Sequence, residues 1–333
     1  ERAVAAGRPA TSSGMEGVDS VELEANAGPE KTVAAPAEDG AERRLRLSEV
    51  FADTTAPITV KANVPAVVTI PNLKPNSTIY YRIKQRTGPT AAWAVSKQNL
   101  ARTQRASGST FSFTVQGDTH PERAGKMFNA ELYTVTMANI AAQKPDFHIL
   151  LGDDFSIDPL IGKGQATPAN VDKVYSTHRS WLSLSSVPIF LVNGNHEGEA
   201  GWLLNGGAEN LAVWAAQARL RYYLNPTPNA FYSGDSTAEP FVGQRASYYA
   251  WNWGSAQFIV LDPFWFTKSK PGGRIDNWAW TLGERQYQWL QRTLEQSRSS
   301  LKFVFIHHLL GGSGTSARGG VEVVPFWEWG GGG

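Results

Sequence analysis

Cysteine is absent from the 333 residues of the chain. Disulfide bonds and thiolate zinc sites are therefore excluded, and cysteine usage does not indicate a redox compartment. An excess of one charge is also lacking, since the sequence has 31 lysines and arginines and 30 aspartates and glutamates, for a net charge of +1. Without a basic run, a nucleic-acid-binding surface is not expected. No apolar run approaches the ~18 residues of a transmembrane helix, so no membrane span is predicted.

Apolar residues, by contrast, are plentiful. They make up 41% of the sequence, with 12 Trp, 10 Tyr and 15 Phe, which is enough for a sizeable core. At roughly 100–200 residues per domain, the length predicts two domains. Because the chain begins with Glu1 rather than Met, we expect a mature form or a fragment from which any signal peptide is already missing.

The first third of the sequence has the pattern of β-structure. Residues 1–42 are rich in Ala, Gly, Glu and Pro, and we interpret them as a linker or partial β-strands, with one candidate strand at 18–24. Residues 43–107 are predicted to form a small all-β sandwich. Turns containing Pro and Asn separate its predicted strands, at 57–60, 66–70 and 78–83.

Strands and helices alternate over residues 108–333, which predicts a separate α/β domain. Apolar residues at helical spacing predict helices at 126–143, 170–184, 208–224 and 285–297. Thr281 and Glu284 have the spacing of a capping box and are expected to open the last helix. Apolar and alternating runs predict strands at 111–116, 146–151, 189–192, 247–253, 256–261 and 301–306.

Polar residues directly follow four of these strands. Gly-Asp-Thr-His lies at 117–120, Gly-Asp-Asp at 152–154, Gly-Asn-His-Glu at 194–197 and His-His at 307–308. The spacing of the first three suits βαβ units, which take roughly 30 residues or more. Such crossovers bring the strand ends to one rim of the sheet, where α/β proteins bind ligands.

The side chains at these strand ends suit a pair of metal ions. We predict that Asp118 and His120 hold one ion. The amide oxygen of Asn195 and the imidazole of His307 would hold the second. Asp153 would bridge the two ions and offset their repulsion, and the pair would activate a water and clamp a phosphoryl group. The competing interpretation is that the segments after these strands are ordinary turns, in which Gly and Asp are present because they suit the backbone conformation of a turn.

Residues adjacent in sequence to the predicted ligands are expected to have roles other than metal binding. His196 need not be a ligand, because it could instead donate a proton to the leaving oxygen. Glu197 is expected to hydrogen-bond a ligand or its neighbour. Asp154 is interpreted as solvated or packed behind a ligand, and a structural role is favoured for His308 over lining the site.

Taken in order, the motifs at 117–120, 152–153, 194–197 and 305–307 resemble those of the calcineurin-like metallophosphoesterase superfamily, which includes purple acid phosphatases. The resemblance implies a layered sandwich of two mixed β-sheets flanked by helices. It also implies two divalent or trivalent ions (Fe, Zn or Mn) and hydrolysis of phosphate mono- or diesters by a metal-bridging hydroxide. The family pattern matches five residues to metal ligands and a sixth to the catalytic histidine: Asp118, His120, Asp153, Asn195, His307 and His196.

A second resemblance concerns residues 73–81, Leu-Lys-Pro-Asn-Ser-Thr-Ile-Tyr-Tyr. They are similar to a corner of fibronectin type III-like modules and to the β domain that precedes many purple acid phosphatase-type catalytic domains. A β module ahead of this domain type, with an Ala/Gly-rich start and no cysteine, implies an exported bacterial protein, extracytoplasmic or secreted.

The sequence departs from the family pattern in two places. Purple acid phosphatases have Tyr three residues after the bridging Asp, where this chain has Ser156, so a tyrosinate–iron chromophore is not expected and the metals stay open. The family's last motif, Gly-His-x-His, is absent, since no histidine follows His308. We expect the sequence to be cut before that motif, and therefore to bind metal weakly and turn over slowly, if at all.

Several alternatives stay open. The site could serve pyrophosphate or nucleotide bonds, or the chain could be an exported adhesion or carbohydrate-binding protein with a vestigial phosphoesterase domain. His148 and His178 are interpreted as structural. Six tryptophans could rim a substrate cleft, although core packing is favoured for most of them: Trp251, Trp253, Trp265, Trp278, Trp280 and Trp289.

Overall fold

The computed structural model describes residues 3–4, 20–27, 53–60, 64–183, 185–270 and 281–308. Most of the predicted linker, and the part of the chain after His308, lie outside the described residues. Within the described ranges, none of the helices combines the length and the hydropathy needed to cross a bilayer.

The chain up to residue 102 contributes strands to the structure. Their bounds are Ala3–Val4 (β1), Ser20–Ala27 (β2), Asp53–Thr54 (β3), Ile58–Thr59 (β4), Thr69–Ile70 (β5), Thr78–Arg86 (β6), Ala94–Val95 (β7) and Asn99–Arg102 (β8). Strand β6 is central, because it pairs antiparallel with β2, β7 and β8. Five buried side chains pack together here: Val68, Ile70, Leu73, Ile79 and Tyr81. The fibronectin-like sandwich and the domain boundaries stay predictions.

The remainder of the described chain is mixed α/β. Its strands are Phe113–Gln116 (β9), Phe147–Leu150 (β10), Ile189–Leu191 (β11), Ser233–Gly234 (β12), Ala238–Glu239 (β13), Gly243–Gln244 (β14), Tyr249–Trp253 (β15), Ala256–Val260 (β16) and Leu301–Phe305 (β17). Its α-helices are Ala130–Gln143 (α1), Pro159–Gly162 (α2), Pro168–Leu182 (α3), Leu211–Tyr222 (α4) and Glu284–Gln296 (α5). Two short 3-10 helices cover Pro121–Arg123 and Gly201–Leu203.

Two sheets pack face to face through aromatic rings. One sheet has the order β11-β10-β9 with all strands parallel, and the other has the order β12-β15-β16-β17 with both antiparallel and parallel pairs. The ring of Phe258 lies 5.1 Å from those of Phe113 and Phe147 in the opposite sheet. The predicted mixed α/β fold is therefore confirmed.

Helices cover the outer faces of the two sheets. Leu150 and Leu191 of the first sheet pack in one cluster with Tyr175 of α3 and Leu211 of α4. Ala250 and Ile259 of the second sheet pack with α5 in another cluster, through Trp289 and Leu290. This layering explains why β10 is buried along its whole length, and why alternation is missing from its sequence.

The starts of α1 and α5 show what sets a helix boundary in this chain. Helix α1 begins at residue 130 rather than 126, because the Asn129 side chain accepts a hydrogen bond from the Leu132 amide and caps the helix there. The predicted capping box at Thr281 is wrong. Gly283 is the residue before α5, at φ 75°, and the Thr281 hydroxyl accepts from the Gly283 amide instead. A Cβ at Gly283 would lie 2.5 Å from the Phe266 ring, so glycine is required.

The residues read as structural are buried. His148 is 1% exposed with Nδ1 2.8 Å from the Thr114 hydroxyl, and His178 is 2% exposed with its ring 5.0 Å from that of Phe155. Four of the six tryptophans are buried in the core: Trp251, Trp253, Trp265 and Trp289. The other two, Trp278 and Trp280, lie outside the described residues.

Candidate metal centre

The loops that follow β9 and β10 are joined by backbone hydrogen bonds. The Asp118 amide donates to the Gly152 carbonyl at 3.0 Å, and the His120 amide donates to the Asp153 carbonyl at 3.1 Å. Parallel strands end at the same edge of a sheet, so these loops meet at one rim. The prediction that Asp118 and Asp153 share this rim agrees with the structure.

Three of the predicted ligands have left-handed backbone conformations. The φ angles are 55° at Asp118, 43° at His120 and 60° at Asp153. This region costs an L-residue roughly 1–2 kcal/mol, although Asp tolerates it better than most. Strain of this kind concentrates at functional sites, where surrounding structure holds it in place.

Asp153 lies at the centre of the cluster and is 3% exposed. Its Oδ2 atom lies 3.3 Å from Nε2 of His307, 3.4 Å from Nε2 of His120 and 3.9 Å from Nε2 of His196. Its Oδ1 atom accepts a hydrogen bond from the His196 amide at 2.9 Å. Burial opposes ionisation, but the hydrogen bond and charge of His307, with those of His196, bring the pKa of Asp153 down to about 2.

Potential ligand atoms form two overlapping sets. Within each set the atoms lie no more than 4.8 Å apart, and the sets are His120, Asp153 and His196, and Asp118, Asp153 and His307. Asn195 adjoins the second set, since its Oδ1 atom is 3.2 Å from Nε2 of His307. The structure therefore brings all five predicted ligands together with His196. Asp118 also lies near His120, with Oδ1 3.6 Å from Nε2, and the predicted sharing of one ion by these two residues stays a prediction.

The donor set fits metal ions. Carboxylate oxygens, an amide oxygen and imidazole nitrogens are ligands for Zn, Fe and Mn. His307 is oriented for this role, because its Nδ1 lies 2.7 Å from the Leu151 carbonyl and its Nε2 faces the cluster. Burial lowers the pKa of His307, but its bonds to Asp153 and the nearby Glu197 charge raise it to about 9 overall.

His120 is also held from behind. Its Nδ1 atom is 2.9 Å from Oε1 of Glu122 and 3.3 Å from the Ser156 hydroxyl, so Nε2 faces Asp153. Ser156 occupies the position where the resemblance places tyrosine, and it contacts a predicted ligand. Neither Glu122 nor this contact was predicted from the sequence.

His196 faces the cluster from the exposed side, with its side chain 20% exposed. Its Nδ1 atom is 2.7 Å from Oδ2 of Asp158, and this hydrogen bond raises the pKa of His196. Its Nε2 atom lies 3.4 Å from Nη2 of Arg123. Neither Asp158 nor Arg123 was predicted as a partner of His196. The only indication in the sequence was that Asp158 lies close to Asp153 and Arg123 close to His120.

Two further acids are buried beneath the rim. Glu197 accepts hydrogen bonds from the Asp154 and Phe155 amides at 2.7 and 3.2 Å, as expected for a residue that fixes its neighbours. Burial, reinforced by the Asp153 charge, raises the pKa of Glu197 to about 7. Asp154 is 1% exposed and accepts from the Thr119 hydroxyl at 2.8 Å, so it is packed behind the ligands rather than solvated.

A buried ionic network supports the loop after β11. The Arg219 guanidinium donates to both carboxylate oxygens of Glu199, at 2.5 and 3.0 Å. Arg245 donates to Asp262 at 2.5 Å and also reaches Glu199 at 3.4 Å. Asn193 donates to Glu199 at 3.3 Å, which ties the network to the loop that carries Asn195.

Comparisons with known proteins agree with this geometry. The family model described as calcineurin-like phosphoesterase matches residues 111–326. No curated protein matches the chain. A solved structure of PhoD is similar, with a TM-score of 0.59, 18% sequence identity and coverage of 95% of this chain. The chain spans 65% of the length of that PhoD chain. At this identity the likeness concerns the fold.

Proposed function

The chain belongs to the calcineurin-like phosphoesterase family, and on this premise we propose that it hydrolyses phosphate mono- or diesters at a centre of two metal ions. The observation that carries the proposal is the position of Asp153. One buried carboxylate oxygen faces imidazoles that arrive from three separate segments, at 3.3, 3.4 and 3.9 Å. A turn-forming or core-packing role does not account for such convergence.

We assign the metal ligands to five residues: Asp118, His120, Asp153, Asn195 and His307. Asp153 would be shared between the ions, because it belongs to both sets of potential ligands and its Oδ2 faces both His120 and His307. The ions, of Fe, Zn or Mn, would supply positive charge for the phosphoryl group and a water of lowered pKa. The backbone bonds between the loops of Asp118 and Asp153 hold the ligands in place before any ion binds.

His196 is assigned to the leaving group. Asp158 fixes its ring through Nδ1, and Nε2 is directed at the cluster from the more exposed side. A group held in this way can give a proton to the departing alcohol, or stabilise the charge that develops there. The substrate oxygen would lie between His196 and the ions, where the rim is open to solvent.

The test is hydrolysis of chromogenic mono- and diesters by the purified chain, with metal content measured in the same samples. A chelator should abolish turnover, and added Mn, Zn or Fe should restore it. His196→Ala should keep its metal and lose turnover by roughly 10²–10⁴-fold. Turnover that survives complete metal removal would contradict the proposal, as would metal loss in His196→Ala with an unchanged rate.

A further inference from the structure

Arg123 stands at the entrance of the candidate metal centre. It ends the 3-10 helix that follows His120 directly, and its side chain is 36% exposed. Its Nε atom pairs with Glu122 at 3.3 Å, and its Nη1 atom lies 3.1 Å from the Met127 sulfur. These contacts hold the guanidinium while Nη2 extends to 3.4 Å from Nε2 of His196. The position of the Arg123 guanidinium is therefore set by its contacts with neighbouring side chains.

The contact with His196 gives Arg123 access to the reacting group. Nδ1 of that ring is engaged by Asp158, so Nε2 is the atom that faces a bound phosphoryl group. Any oxygen that approaches Nε2 of His196 therefore also approaches Nη2 of Arg123. A guanidinium is always charged and its planar donors match phosphate oxygens, which makes it well suited to this contact.

Next to the leaving oxygen that faces His196, on the same phosphorus, mono- and diesters differ in the oxygens that Arg123 would reach. A monoester dianion has three non-bridging oxygens, whereas a diester has two and carries a second ester group in place of the third. We propose that Arg123 is a specificity-determining residue that binds the third non-bridging oxygen beside His196, so that the site selects phosphate monoesters over diesters. This inference rests on the proposed function and names its substrate class.

The first test is binding, which needs no turnover. Calorimetric titrations would compare inorganic phosphate, as its dianion, with dimethyl phosphate, in both the metal-free and the Mn-loaded chain. Arg123→Gln should weaken phosphate binding about tenfold or more and change dimethyl phosphate binding little, since only phosphate offers the charged third oxygen. Arg123→Lys should fall between Arg123→Gln and wild type, because it keeps the charge but loses the planar donors.

Lys126→Gln is the matched control, because it removes one positive charge from an exposed residue of the same loop. It should alter neither titration. Melting temperatures would verify that each variant is folded. Equal losses for phosphate and dimethyl phosphate in Arg123→Gln, or no loss for phosphate, would overturn the assignment. So would a wild-type chain that binds no phosphate in either form.

The second test separates this inference from the proposed function. In Arg123→Gln, the ratio of kcat/KM for a monoester to that for a diester should fall about tenfold. If the wild type turns over and this ratio is unchanged, the role of Arg123 is wrong while the hydrolase proposal stands. If the wild type binds phosphate through Arg123 but never turns over, the hydrolase proposal fails and the binding role of Arg123 stands.

Discussion

Nδ1 of His196 lies 2.7 Å from Oδ2 of Asp158, and this contact turns Nε2 of the same ring toward Asp153. The two residues come from different loops, with Asp158 immediately before α2 and His196 after β11. An imidazole on a partly exposed rim would otherwise sample several rotamers. Asp158 therefore acts as a positioning residue for the proposed catalytic histidine.

Asp158→Asn should lower kcat by about 10–100-fold, the usual effect of removing a carboxylate that orients a functional histidine. Metal content should stay at the wild-type level, because Asp158 is not among the assigned ligands. The measurement is steady-state kinetics combined with metal analysis. Asp172→Asn is the reference variant. The Asp172 carboxylate is also partly exposed, but it lies in α3 and pairs with Arg221 of α4. Equal rates in both variants would contradict the role of Asp158.

Asp153→Asn should remove most metal affinity, because it neutralises the carboxylate that both ligand sets share. A ligand that binds only the folded state stabilises it by about 2.7 kcal/mol at 100 times its dissociation constant. Wild type should therefore melt at a higher temperature as Mn or Zn is added, and Asp153→Asn should not respond. Asp118→Asn should keep part of the response, since its side chain is 58% exposed. A full metal response in Asp153→Asn would exclude a bridging role.

The sequence sufficed to predict the strand ends and the residues that follow them. Asp118, Asp153 and Asn195 each come directly after an apolar run, and chain order with crossover handedness places such residues on one rim. The partners of these residues could not be predicted. Arg123 and Asp158 lie in irregular loops, where no periodicity indicates the direction of a side chain.

Short helices and strands, and ion pairs between residues far apart in the chain, could not be predicted from the sequence either. Helix α2 has four residues and β12 has two, which is too few for a hydrophobic period to be recognised. The pairing of Glu199 with Arg219 depends on how α4 packs against a loop, and nothing local to either residue indicates it. Propensity and pattern describe neighbours along the chain, whereas these contacts arise from tertiary packing.

The buried His178 should make the fold sensitive to acid. Burial lowers its pKa to about 3, compared with 6.5 for an exposed histidine. Between these values the unfolded chain binds a proton that the folded chain does not, so stability is complete above pH 6.5 and falls as the pH decreases toward 3. The slope is at most about 1.4 kcal/mol per pH unit from this residue.

His178→Leu should flatten this dependence in urea unfolding measured from pH 7 to pH 5. His148, whose pKa burial lowers to about 4, would keep contributing its own share in the variant. The two histidines should therefore act additively, with the double variant flatter than either single one. An unchanged slope in His178→Leu would mean that the folded protein accepts a proton at this position without cost.

Arg219 and Arg221 provide a matched pair on the last turn of α4. The Arg219 side chain is 1% exposed and its partner Glu199 is equally buried, whereas Arg221 is 50% exposed in its pair with Asp172. Arg219→Met should cost about 3–5 kcal/mol in the free energy of unfolding, because it leaves the Glu199 carboxylate buried with weaker compensation from Arg245. Arg221→Met should cost about 1 kcal/mol or less, since exposed pairs are screened by water. Chemical denaturation of the two variants measures the difference directly, and equal costs would show that the network around Glu199 does not hold the loop after β11.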